Sequence, residues 1–278
     1  MRVSGWAMIV FSVIVAGLVL QLLVLSPLAE NRSQSLLYRQ FRTELASGTA
    51  PVGQVDSNGR ILAIGAPVAL IAIPSLGIDD AVVEGTTSRA LMNGPGHRRD
   101  SPLPGQVGIS VIYGRQAAYG GSFADLSQLR PGDAITTTTG QGVATYKVID
   151  VRYAGDVAPA LPSASTGRLT LVSATGVSYI AGSVVRVDAD LVGKAFPAPQ
   201  PVLRPGSLSA NEDPMGTDTS GWMALVLLAE LAIVVGVLIV LALRRWGKWH
   251  TWIVGVPVLL AVGVAISTQI IVALPNLY

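Results

Sequence analysis

Few side chains in this sequence can do acid–base or nucleophilic chemistry, and they are far apart. The 278 residues include 2 histidines, His97 and His250, and no cysteine. Imidazole is the ordinary side chain that titrates between pH 5 and 8, so these two positions are the natural places for a general base. The lack of cysteine removes disulfides, thiolate metal sites and thiol nucleophiles. Serines and threonines are present, but nothing in the sequence supplies an activated nucleophile among them. No carboxylate cluster has ligand spacing, and the two histidines fall in separate parts of the chain, so neither a metal nor any other cofactor is expected. There is also no glycine-rich phosphate loop. Glu230 is an acid inside an apolar run. One such acid, with no second ionisable group at similar depth, reads as a helix-contact residue rather than a proton relay. Gln269, in the next apolar run, is its candidate partner, or else a contact to another subunit.

The elements that must position these residues are membrane spans and one outer domain. Hydrophobic content is 50% and charged content 13%, against about 25% charged in typical soluble chains. The deficit is concentrated in three apolar runs. The first extends from about Trp6 to Leu28, without a charge between Arg2 and Glu30. It exceeds a signal-peptide core and lacks a small-x-small site, so it reads as an uncleaved anchor. The second runs from about Trp222 to Leu243 and the third from about Thr251 to Leu274. Arg244, Arg245 and Lys248 in the short connection place it on the cytoplasmic side. Trp246, Trp249, Trp252 and His250 suit the interface. The N-terminus is then expected in the cytoplasm, with the middle domain and the C-terminus outside. The net charge of +2 gives no case for nucleic acid. The bilayer and other membrane or cell-surface proteins are the expected partners.

Between the spans the sequence divides further. Residues 1–28 form the anchor and 29–66 a juxtamembrane helix with a linker. In that helix Leu36, Leu37, Phe41 and Leu45 are expected on one broad face. Residues 67–195 hold short apolar runs at Pro67–Ile73, Gly108–Tyr113, Ala134–Thr139, Ala144–Tyr153, Arg168–Ser173 and Ser183–Val192. Turn signals such as Arg130-Pro131-Gly132-Asp133 separate them, which predicts a mainly β sandwich or barrel. Residues 196–221, rich in Pro, Gly, Ser and acids, read as a flexible tether. Residues 222–274 form a two-helix transmembrane hairpin.

From Pro67 to Leu191 a series of short motifs runs through the sequence: Ile73-Pro74-Ser75-Leu76-Gly77-Ile78, Val83-Glu84-Gly85 and Leu91-Met92-Asn93-Gly94-Pro95-Gly96-His97. They continue with Pro104-Gly105-Gln106-Val107-Gly108, Tyr119-Gly120-Gly121-Ser122-Phe123, Leu126, Leu129, Arg130-Pro131-Gly132-Asp133, Tyr146-Lys147-Val148 and Arg168-Leu169-Thr170-Leu171. No single motif is specific, but their order and spacing are. In that order and spacing the region resembles a sortase of the class E type found in Gram-positive, especially actinobacterial, bacteria. The resemblance implies an eight-stranded sortase-like β-barrel outside the membrane. It also implies a Cys, His and Arg triad, working through a thioacyl intermediate.

The three triad positions hold other residues. Where the family has a motif like Val-Ile-Ala-Gly-His-Arg, this chain reads Val111-Ile112-Tyr113-Gly114-Arg115-Gln116, so Arg115 stands at the histidine position. Arginine stays protonated and cannot act as a general base near neutral pH. Where the family has Leu-Thr-Leu-Thr-Thr-Cys, the chain reads Leu169-Thr170-Leu171-Val172-Ser173-Ala174, so Ala174 stands at the cysteine position. Ser173 and Thr175 are expected on the opposite face of the strand. Aligning on Ala189-Asp190-Leu191 puts Val184 or Ser183 at the arginine position, with Arg186 two residues on and on the same face. His97 lies in the Gly-Pro-Gly-His element, which does not carry the family's catalytic histidine, and reads as structural. The expectation is a degenerate, non-catalytic sortase-like protein serving as a scaffold or accessory subunit of a cell-envelope membrane complex. Arg115, Tyr113, Ala174 and Arg186 are its candidate groove contacts. The alternatives are a non-catalytic receptor for sorting signals or extended peptides, and an active transpeptidase with unusual residues.

Overall fold

The computed structural model describes residues 2–177 and 182–278. It divides into two compact units, Met1–Pro27 with Asp218–Leu274, and Leu28–Thr217 with Pro275–Tyr278. The first unit is helical, with α1 (Arg2–Leu20), α3 (Trp222–Arg245) and α4 (Lys248–Ala273). A wider π-helical turn, Gln21–Leu25, joins α1 to α2 (Ser26–Ser47), so the chain stays helical to Ser47. Three helices are long and apolar enough to cross a membrane, one near the N-terminus. Helices α1 and α4 meet backbone to backbone. A Cβ at Gly17 would lie 2.7 Å from the Leu260 carbonyl oxygen, and one at Gly263 would lie 2.4 Å from that of Ile14. Small residues at such a crossing are a common solution between membrane helices, where dispersion rather than hydrophobicity drives association.

The second unit begins with α2. Its inward stripe is Glu30 and Phe41, both buried, with Gln34, Leu37 and Leu45 half-buried, while Leu36 is 52% exposed. Leu37, Phe41 and Leu45 therefore lie on the expected face, and Leu36 alone falls outside it. Gln34 anchors it, donating from Nε2 to the Ala81 and Asn93 carbonyls at 3.0 and 2.6 Å and accepting from Ala81 N at 2.7 Å.

The eight strands are β1 (Pro67–Ile73), β2 (Ile78–Glu84), β3 (Gly96–His97), β4 (Gly108–Tyr113), β5 (Ala134–Thr139), β6 (Gly142–Arg152), β7 (Gly167–Thr175) and β8 (Ser183–Val192). They close a barrel in the order β1-β2-β3-β4-β7-β8-β6-β5, with β4 and β7 parallel. Two strands have no counterpart among the predicted runs. In β2 the Asp79-Asp80 pair, depleted in strands, obscures the pattern, and β3 is only two residues long. Val68, Ile71, Ile73, Val82, Ile112, Phe123, Ile135, Tyr146, Leu169, Leu171, Val185 and Val187 fill the interior.

Strand β7 is buried along both faces. Leu169 and Leu171 point into the core, while Val172 and Ala174 belong to a second apolar cluster outside the barrel wall. Part of the cover is the segment read from composition as a tether. Phe196 pairs with Gly105 and Val107. Gly206 N donates to Asp100 Oδ2 at 2.8 Å, and Arg99 bridges buried Glu212 at 2.5 Å. Gln54 ties the preceding linker to the same strap by accepting from Val202 N and Leu203 N. These long-range bonds have no compositional signature, which is why the segment looks featureless in sequence.

Candidate functional site

Neighbouring strand ends bring the predicted site residues together. Pairing of β4 with β7 sets Tyr113 beside Val172, and pairing of β7 with β8 sets Val172 beside Arg186 and Ala174 beside Val184. Because side chains alternate across a strand, Tyr113, Val172, Ala174, Val184 and Arg186 all face outward. Ser173 pairs with Val185 and faces the core, fully buried, its hydroxyl without a hydrogen-bond partner among the described residues. It cannot reach the outer face without inverting the strand.

Arg115 follows β4 and is 1% exposed, the largest of the fully buried side chains. Its Nη2 donates to the Ser88 carbonyl at 2.7 Å and to Ser88 Oγ at 2.8 Å, and its Nη1 donates to the main-chain oxygen of Tyr278. The guanidinium carbon lies 5.8 Å from the centroid of the Tyr119 ring, within cation–π range. Gly114 lets this turn sit close to the barrel, since a Cβ there would lie 2.3 Å from the Phe123 ring.

The space outside Ala174 is filled by the chain itself. Leu277 and Tyr278, 0% and 1% exposed, join Leu91, Tyr113, Val172 and Ala174 in one cluster, edged by Val111, Val184 and Met215. Gln116 N donates to the Leu277 carbonyl at 2.8 Å, and Gly182 N donates to the Tyr278 hydroxyl. Asn276 Nδ2 donates to the Thr86 and Asp213 carbonyls at 2.8 and 2.9 Å, while Asn276 N donates to Gly216 O at 2.9 Å. Sequence reasoning missed these residues and Ser88. Its one usable signal was an apolar pair, Leu277-Tyr278, placed after a Pro-Asn break beyond the last apolar run.

Arg186 has a different setting. It lines an open cleft of about 270 Å³ with Arg98, Tyr113, Arg168, Val172 and Leu161. Arg98 is paired with Asp100 at 2.6 Å and reaches the Tyr113 hydroxyl at 3.2 Å, and Arg168 is paired with Asp190 at 2.7 Å. Arg186 makes no ion pair among the described residues. It is therefore not adjacent to Ala174, which Val184 faces instead.

His97 is remote from Arg115 in role. Its Nδ1 lies 2.8 Å from Glu84 Oε2, and its Nε2 lies 3.0 Å from the Pro102 carbonyl and 3.1 Å from Ser101 Oγ. Complete burial would depress its pKa, but the Glu84 carboxylate outweighs that and holds it above the ordinary value. With both ring nitrogens engaged and no solvent access, it pins β3 to β2. In the helical unit, Glu230 and Gln269 are not brought together. Glu230 lies on the exposed side of α3. Gln269 Oε1 is buried without a hydrogen-bond partner among the described residues, in the direction of Gly221, where a Cβ would lie 3.0 Å away.

Residues 71–187 match the model of the sortase domain. Among solved structures the chain is similar to a Clostridium perfringens sortase D5 transpeptidase, 21% identical, covering 59% of this chain and 99% of that chain at a TM-score of 0.46. It is also similar to sortase A from Corynebacterium diphtheriae, 21% identical over 58% of this chain and 84% of that chain, with a TM-score of 0.43. Sortase E1 from Streptomyces coelicolor is 20% identical over 48% of this chain and 92% of that chain, with a TM-score of 0.41. No curated protein matches the sequence. Residues 71–187, which match the sortase-domain model, run from β1 to β8 of the closed eight-stranded barrel.

Proposed function

We propose that the barrel is a catalytically inactive, class E-like sortase domain that serves as a scaffold or accessory subunit of a cell-envelope membrane complex. The observation that carries this reading is the burial of Arg115 and Ala174 beneath Leu277 and Tyr278. A cationic guanidinium replaces the base, a methyl group replaces the nucleophile, and the place of an acyl group is already filled. Ser173 offers no substitute because it faces the core. Three apolar helices and the cationic Arg244–Lys248 connection support a multi-pass protein with its N-terminus in the cytoplasm and its barrel outside.

The test is purification of tagged protein from native membranes in mild detergent, alongside a fluorogenic sorting-peptide assay with an amine acceptor. A stoichiometric membrane partner and no turnover are expected. Turnover above the blank, or an isolated monomer, overturns the proposal.

A second reading is favoured by the open cleft at Arg186, which offers a cation and an apolar wall to an extended peptide or sorting signal. Binding of acidic peptides that is lost in Arg186→Ala would support that receptor role.

A further inference from the structure

We infer that Pro275–Tyr278 is an in-cis ligand of a peptide-binding site, and that releasing it hands the site to another peptide of the same chemistry. The inference rests on the reading above that this position does no covalent chemistry. The recognition is built from complementary polar groups around an apolar wall. The barrel domain supplies donors in the Arg115 guanidinium, Gln116 N and Gly182 N and an acceptor in the Thr86 carbonyl, and the strap laid along it adds the Asp213 and Gly216 carbonyls. The segment supplies a buried leucine, a tyrosine whose main-chain oxygen and hydroxyl are both engaged, and an asparagine that donates through its amide. It is turned rather than extended, since Tyr278 N donates to Pro275 O at 3.0 Å.

Without the segment, Arg115 loses one of its acceptors inside a buried pocket, and Leu91, Val172 and Ala174 lose their apolar cover. Losing the acceptor at Nη1 and exposing apolar surface are both unfavourable, so the vacated site favours a replacement ligand. The segment follows α4 directly in sequence, so its effective concentration is high and competition in trans is weak until it is displaced. The ligand class is therefore a turned peptide of the Leu-Pro-Asn-Leu-Tyr type, with tyrosine as its anchor.

The experiment uses the full chain in detergent and a labelled acetyl-Leu-Pro-Asn-Leu-Tyr peptide, read by fluorescence polarisation. The intact chain is expected to bind poorly. The Leu277→Asp, Tyr278→Ala double variant is expected to bind at least about tenfold more tightly, the tethered competitor having been removed. Adding Arg115→Ala, or replacing the peptide's tyrosine with alanine, is expected to abolish the gain. A folded double variant that binds no peptide at millimolar concentration overturns the inference.

A single substitution gives a second readout, Leu277→Cys introducing the chain's sole thiol. Labelling while β7 amides stay protected from exchange supports release of the segment from a folded barrel. Labelling only on global unfolding refutes release and leaves the segment a structural plug. Absence of peptide binding together with absence of turnover sinks only this inference, whereas turnover sinks the functional reading beneath it.

Discussion

Replacing Arg115 with methionine tests whether this residue is structural cement or a solvated groove cation. The substitution keeps most of the aliphatic stem and removes three donated hydrogen bonds, two to Ser88 and one to Tyr278. Each buried acceptor left unpaired costs about 1–3 kcal/mol, so the Ser88 carbonyl and Tyr278 oxygen alone give roughly 2–6 kcal/mol. Relief of the guanidinium's own burial offsets a part of this, small because Ser88 and Tyr278 already solvate it with hydrogen bonds. A net loss of about 2–4 kcal/mol follows, equivalent to a Tm drop of roughly 5–15 °C for a domain of this size. Tryptophan fluorescence cannot report it, because all 5 tryptophans lie in the helical unit. Hydrogen exchange at β7 amides, followed by mass spectrometry against temperature, reads the barrel directly. A loss below about 0.5 kcal/mol, typical of surface substitutions, would refute the reasoning.

Three further outcomes are expected. Ala174→Cys combined with Arg115→His should yield no transpeptidation, because Ala174 is 2% exposed and Val184 still stands where an arginine would be needed. A maleimide should modify the introduced thiol only slowly, and rapid labelling would show that the cleft is open. His97→Ala should destabilise the barrel by about 3–5 kcal/mol, as expected when one partner of a buried ion pair is removed, with urea unfolding as the measure. Barrel stability should fall towards alkaline pH for two reasons. Burial, then Asp79, raises Asp80 from 3.8 to about 6, so its contribution is complete below 3.8 and is lost as pH rises through 6. His97 is also raised, so its contribution is complete below about 6.5 and is lost as pH rises through its folded value. Asp80→Asn should flatten the first step, and an unchanged pH profile would contradict the assignment.

How much of this was legible in the sequence varied by element. The apolar runs gave the long helices because a 20-residue apolar stretch carries its own signal. Six strands followed from alternation and turn residues, whereas β2 was hidden by its two aspartates and β3 by its brevity. Of the expected α2 face, Leu37, Phe41 and Leu45 lie inward and only Leu36 is exposed, while the polar Glu30 and Gln34, which apolar patterning passes over, complete the stripe. The site was legible as a set of positions. Val111–Gln116 and Leu169–Ala174 located Arg115 and Ala174, and strand alternation turned Ser173 inward.

The sequence alone, then, determined the residue types at the candidate site, the apolar helices and the β-rich middle, because these depend on local composition and short-range periodicity. Tertiary structure decided what those residues touch. It set Val184 rather than Arg186 against Ala174 through the β7–β8 register, laid residues 196–217 along the barrel, and seated Leu277 and Tyr278 over Ala174, with Arg115 bonded to the Tyr278 main-chain oxygen. The contacts of Tyr278 with Arg115 and with the Ala174 cluster join residues more than a hundred positions apart, and only closure of the barrel fixes the geometry in which one arginine can hold two distant stretches of chain.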